Sequence, residues 1–196
     1  MTFKITEFSS VVPSQVVDIR TPGPRYNRSR VEGNKKPYWM FELTSPPLPY
    51  EEAMGVSAHL DSLNGSLEIF TMPPPLPALA VRTGLTIHTA SVKGSNILYV
   101  GGFTANQLSS AKAGDYMQLA GHQKAYRIVE NANANASTEA TITITPRLFE
   151  DSILNEAVKY GNDVQFQCCL EDVVDMPVKA NSGKYVVFDL TVLEQG

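Results

Sequence analysis

The sequence predicts a mainly β protein with a minor α component. Its expected architecture is an antiparallel β-sandwich carrying one helix, with a small β-barrel-like domain inserted into it. Three observations carry this expectation. One stretch alone, near residues 50–63, repeats apolar residues at helical spacing. Beyond the proline run Pro73–Pro77, short alternating segments recur with turn signals at roughly eight- to twelve-residue spacing. Finally, Tyr38–Thr44 (YWMFELT) and Tyr185–Thr191 (YVVFDLT) share pattern and identities, so both are read as strands of one sheet. The chain end then returns to the first domain. Residues 1–75 with 183–196 form the sandwich, and residues 79–180 form the inserted domain.

The elements follow in order. Ser14–Ile19 (SQVVDI) reads as a strand. Arg20–Pro37 mixes proline, glycine and asparagine with basic residues and reads as a long loop or β-arm. In YWMFELT, Trp39, Phe41 and Leu43 share one face, so the single tryptophan is expected in the core. Pro49 suits a helix start, Glu51 and Glu52 suit its first turn, and Ala53, Val56, Leu60 and Leu63 form its apolar stripe. Asn64-Gly65 is its stop signal. Ser66–Met72 reads as a strand ended by the prolines, which lack donors and favour an extended path.

The second domain is expected to use strands within residues 79–90, 96–103, 115–121, 124–132, 139–146 and 163–172. Residues 131–138 (NANANAST) suit a hairpin loop, and residues 146–162 a connection with one helical turn.

Chemistry is sparse. His59, His88 and His122 have no second histidine at i+2 or i+4, so they read as solvent-facing or locally hydrogen-bonded. Nucleophile-elbow, zinc-protease, phosphate-loop and dinucleotide motifs are absent. Glu51-Glu52 and the group Glu171, Asp172 and Asp175 are acid pairs, read as dipole compensation and a solvated strand end rather than glycosidase pairs. The expectation is no catalytic residue, no metal and no cofactor. Cys168 and Cys169 are adjacent, which strains a bridge between them, and a strand would turn one sulfur inward and one outward. No leader and no apolar run long enough to cross a membrane are read.

The formal charge is −4, which leaves no broad basic surface for nucleic acid. Charged residues make up 18%, below the roughly 25% usual in soluble domains, which suggests a surface partly covered by a partner. Against this background six basic residues fall between Arg20 and Lys36. Arg25, Arg28, Arg30, Lys35 and Lys36 are candidate contacts with another copy or with a tube. The same loop can be read as simply solvated, as an arm docked on an acidic neighbour, or as a passive contact with DNA phosphates.

Lys112–Val129 (KAGDYMQLAGHQKAYRIV) gathers an aspartate, a histidine and two tyrosines. Gly114-Asp115 opens a strand and Gly121-His122 reverses it, so the segment reads as a hairpin in a β wall. Asp115, His122 and Lys124 then belong to turns and strand ends. An enzyme would need two of Asp115, His122 and Glu171 to converge in a pocket. A carbohydrate-binding module of a host-adhesion device would use Tyr99 or Tyr126 in an exposed groove.

Leu108–Leu148 resembles a pattern of tail proteins of long-tailed bacteriophages, through Gly114, Asp115, Tyr116, Tyr126, Ile142, Ile144, Pro146 and Leu148. Ala58–Pro75 (AHLDSLNGSLEIFTMPPP) extends the match upstream. The resemblance, to distal-tail or baseplate-hub-like proteins, implies a virion structural role. It implies a ring, usually a hexamer, at the lower end of the tail tube, joining tube protein to tail-tip hub protein around the DNA exit channel. It also implies assembly in the host cytoplasm and no catalytic residues. The match is poorest at the basic arm.

Overall fold

The computed structural model describes residues 7–17, 19–20, 31–32, 37–63, 67–172 and 185–195. The chain forms two compact units: Met1–Thr71 with Cys168–Gly196, and Met72–Gln167. In chain order the elements are β1 (Ser10–Val16), β2 (Ile19–Arg20), β3 (Val31–Glu32), β4 (Tyr38–Thr44), β5 (Leu48–Pro49), α1 (Tyr50–Ser62) and β6 (Phe70–Met72). There follow β7 (Leu85–Thr89), β8 (Ile97–Gly101), β9 (Tyr116–Leu119), β10 (Tyr126–Ile128), β11 (Glu139–Thr145) and β12 (Ala157–Tyr160). The last are β13 (Phe166–Leu170), β14 (Tyr185–Val186) and β15 (Asp189–Glu194). The protein is mainly β with one helix, as the sequence predicts.

The main sheet of the first unit has the order β1-β4-β15-β13-β6. Strand β4 is its hinge of register, antiparallel to β1 on one side and to β15 on the other. Trp39, Phe41 and Leu43 are 2%, 0% and 1% exposed, so the alternation in YWMFELT does select the core face. Opposite them, Leu190 pairs with Leu43 and Val192 with Phe41, both apolar and both buried. The carboxylate of Glu194 accepts the Trp39 backbone N–H at 3.2 Å, which gives this buried acid a donor.

The likeness of YWMFELT to YVVFDLT corresponds to real adjacency, with a break. Asp189–Leu193 pairs with β4, but Tyr185 and Val186 pair with Pro49 and Leu48 of β5. Between the two ladders, Phe188 donates its N–H to Ser45 Oγ and accepts the Ser45 N–H, both at 2.9 Å. Helix α1 packs on the β5–β14 ladder. It buries Ala53, Leu60 and, just past its end, Leu63, while Val56 is half-buried. His59, one residue before Leu60 of the expected stripe, is also buried. The stop signal Asn64-Gly65 lies outside the described residues.

Two sequence expectations differ here. The sequence reads Ser66–Met72 as a strand; of its described residues only Phe70–Met72 is one, and Leu67 and Ile69 stand 80% and 54% exposed. Cys168 and Cys169 are both buried and no disulfide joins them; β13 is interior to its sheet, and both of its faces are buried at these two residues. Phe166–Leu170, grouped by sequence with the second domain's strands, has β15 as a ladder partner.

The second unit is a closed antiparallel barrel of order β10-β11-β8-β7-β12-β9. Its filling includes Leu85, Ile87, Leu98, Val100, Met117, Leu119, Ile142 and Ile144, each at most 2% exposed. Strand β12 is a correction, since residues 146–162 read as a connection. Val158 pairs with Leu119 of β9 and with Leu85 of β7, so β12 is the stave that closes the barrel. A closed barrel leaves no strand edge unpaired.

Candidate functional site

The hairpin of β9 and β10 forms one wall of the barrel, with Tyr126 opposite Met117 and Arg127 opposite Tyr116. All four β9 residues are buried, so its polar members need internal partners. Gln118 finds them: its Nε2 donates to the carbonyls of His122, Gln123 and Gln165, and its Oε1 accepts the Gln165 N–H. It thereby ties the hairpin turn to the segment after β12.

Asp115, at the head of β9, is 3% exposed. Its Oδ1 accepts the Leu79 N–H at 2.7 Å, and its Oδ2 accepts the Ala80 N–H at 3.1 Å and the Tyr160 hydroxyl at 2.8 Å. The Tyr160 oxygen accepts the Lys112 N–H at 2.9 Å. One carboxylate thus pins the segment after the prolines to the barrel mouth. Burial pushes the Tyr160 phenol's pKa above its ordinary value; the Lys112 amide opposes this, and the hydrogen bond and charge of Asp115 add to it. Gly161 completes the anchor at φ +58°, where a Cβ would lie 2.5 Å from Ala78 Cβ. Only glycine lets the two segments approach so closely.

Above this anchor lies a groove of about 230 Å³, walled by Pro74, Leu76, Pro77 and Leu79 on one side and by Tyr116 and Arg127 on the other. The Arg127 guanidinium lies 5.9 Å from the Tyr116 ring centre, and its Nε donates to Gly114 O at 3.3 Å. Tyr116 in turn meets Phe166 edge-on, ring centres 5.2 Å apart.

The sequence-predicted residues fall as follows. Arg25, Arg28, Arg30, Lys35 and Lys36 lie outside the described residues; β2 and β3 pair Ile19 with Glu32 and Arg20 with Val31 at the base of that arm. Asp115, His122 and Lys124 were expected at turns and strand ends, and they are there, yet all three are buried. His122 Nδ1 bonds the Tyr126 hydroxyl at 3.1 Å, which is the local hydrogen bond expected of it, and Lys124 Nζ sits 5.6 Å from the Phe149 ring centre. His88 pairs with Glu139 at 3.0 Å on the surface.

Asp115 and His122 each serve structural partners, and Glu171 belongs to the first unit, where its N–H donates to Thr191 O. Tyr126 is fully buried, so it offers no sugar platform; its ring fills the barrel, and its hydroxyl takes the Phe149 N–H. Tyr99 is 40% exposed. Among the described residues no group of three or more His, Cys, Asp or Glu is placed to hold a metal, and no helix is long and apolar enough to cross a membrane.

Sequence reasoning missed the role of Asp115 and the groove. The one available signal was a Gly-Asp pair ahead of a strand, which fits a turn equally well.

Residues 82–160, almost the whole barrel, match the family described as distal tail protein pb9, B domain. No curated protein matches the chain.

Proposed function

We propose, from the match of residues 82–160 to the family described as distal tail protein pb9, B domain, a structural rather than enzymatic family of the virion tail, that this chain builds a ring at the distal end of the tail. The ring is hexameric. It joins the tail tube protein to the tail-tip hub protein around the DNA exit channel, and it assembles in the host cytoplasm. Residues 1–75 and 183–196 supply the ring contacts, and Arg25, Arg28, Arg30, Lys35 and Lys36 reach a neighbouring copy or the tube. In this reading the inserted domain is placed at residues 79–180, with the barrel strands themselves between Leu85 and Tyr160.

The family match over the barrel is the observation that carries the proposal. The surface supports it: Val92, Ile153 and Leu154 are 71%, 69% and 55% exposed on two loops joined through Ser91 and Ser152. Such a cluster suits a chain whose surface is covered in an assembly. Rings arise where head-to-tail contacts close on themselves. Light scattering on the purified chain is the test. Six copies of the 21.4 kDa chain are expected, alone or with tube protein present. A monomer at every concentration, with and without tube protein, overturns the ring.

A further inference from the structure

We propose that the proline-walled groove of the barrel is an anchor site for a carboxylate side chain carried on an apolar segment of another protein. The inference goes beyond the ring and needs only the barrel. Three observations converge on it. First, the guanidinium of Arg127 is held in place: its Cζ lies 5.9 Å from the Tyr116 ring centre, which the β9–β10 register sets beside it, and its Nε donates to Gly114 O. Among the described residues no acceptor takes its two terminal nitrogens. A fixed guanidinium with its outer edge open matches the two oxygens of a carboxylate.

Second, the opposing wall is apolar and exposed: Leu76 is 44% and Leu79 68% exposed, beside Pro74 and Pro77. This wall is stiff, because proline fixes its backbone and Asp115 clamps the Leu79 and Ala80 amides. Asp115 also lines the groove, but both its oxygens already accept from those amides and from Tyr160. Third, size selects the ligand. About 230 Å³ is below the roughly 300–1,000 Å³ of sites that enclose a small molecule, and suits one inserted side chain with its flanks. Charge and apolar contact together therefore favour a glutamate or aspartate between aliphatic residues, the kind of anchor on which interfaces concentrate their binding energy.

The test uses the full ¹⁵N-labelled chain, titrated with the peptides acetyl-Leu-Glu-Leu-amide and acetyl-Leu-Gln-Leu-amide, and with glutarate. The glutamate peptide is expected to shift the amides of Ala78, Leu79 and Gly114 and the Arg127 Nε–H, saturating on the order of 10 mM. The glutamine peptide and glutarate should each bind roughly tenfold more weakly. Arg127→Gln should abolish the preference for glutamate while leaving resonances far from the groove in place; Arg127→Lys, which keeps the charge without the fork, should lose part of it. Equal binding of the two peptides, shifts that persist in both Arg127 variants, or no shift at all would overturn the assignment. The same shifts on concentrating the chain without peptide would make the groove a contact between copies and overturn a different protein as its occupant.

Discussion

Replacing Asp115 with alanine should be among the most damaging single changes in the barrel, although no motif marks this residue. The substitution strips the acceptor from the Leu79 and Ala80 amides and from the Tyr160 hydroxyl. Water cannot readily replace it at a site 3% exposed. Each buried donor left without a partner costs about 1–3 kcal/mol, so two amides and a phenol together give about 3–9 kcal/mol, with the lower end expected because the Leu79 bond is only partly buried. That is a large share of the roughly 5–15 kcal/mol that holds a domain folded. For a unit of this size the melting temperature should fall by at least about 12 °C.

Tyr160→Phe alone should cost about 1 kcal/mol, and the double variant should fall short of the sum by at least about 0.5 kcal/mol, because both changes remove one shared bond. Asp115→Asn should lie between, since an amide oxygen can serve one donor but its NH₂ faces the other. Urea unfolding gives the energies, and hydrogen exchange at Leu79 and Ala80 gives the location. An Asp115→Ala variant within about 0.5 kcal/mol of the parent, with both amides still protected, would refute the anchor.

Raising pH should weaken the same anchor from the alkaline side. The folded pKa of Tyr160 lies above its unfolded value, so the folded state holds the proton longer. The contribution is intact below about pH 10 and is lost as pH climbs from there toward the folded pKa; Tyr160→Phe should flatten that loss in a pH series of unfolding curves. Gly161→Ala should destabilise the barrel by about 1–3 kcal/mol, measured by urea unfolding, from a strained backbone and the collision with Ala78. In the first unit, Phe41→Ala should cost about 3–5 kcal/mol in the same assay, since its ring is fully buried on β4, a strand interior to the sheet. Reversing Arg25, Arg28 and Arg30 to glutamate should leave the unfolding midpoint unchanged while reducing the ring fraction in light scattering.

The legible part of the fold was the part set by short-range periodicity. YWMFELT shows its buried face by alternation alone, and the helix shows its start through Pro49, Glu51 and Glu52. The Lys112–Val129 hairpin was readable because turn residues flank two alternating runs. Strand β12 was not, since four residues, with buried Val158 and Tyr160 alternating with exposed Ala157 and Lys159, give too short an alternation to separate from a loop. The two buried cysteines break alternation because β13 is covered on both faces, and coverage depends on strand order, not on local sequence.

Asp115 lies furthest from sequence reach. Its partners Leu79 and Ala80 precede it by about 35 residues, and only the folded barrel brings them to it. The groove inherits that limit, because its apolar wall is held in place by the same carboxylate. The histidines illustrate the opposite case: His122 bonds a residue four positions away, a local partner that a local reading can anticipate.

Electron cryomicroscopy of the tail tip of virions that carry this chain tests the central claim most directly. The account predicts a ring around the tube axis at the distal end, each of its repeats fitted by the five-stranded sheet unit and the six-stranded barrel as separate bodies. A tip whose rings accommodate neither body, in virions shown by mass spectrometry to contain the chain, would contradict it.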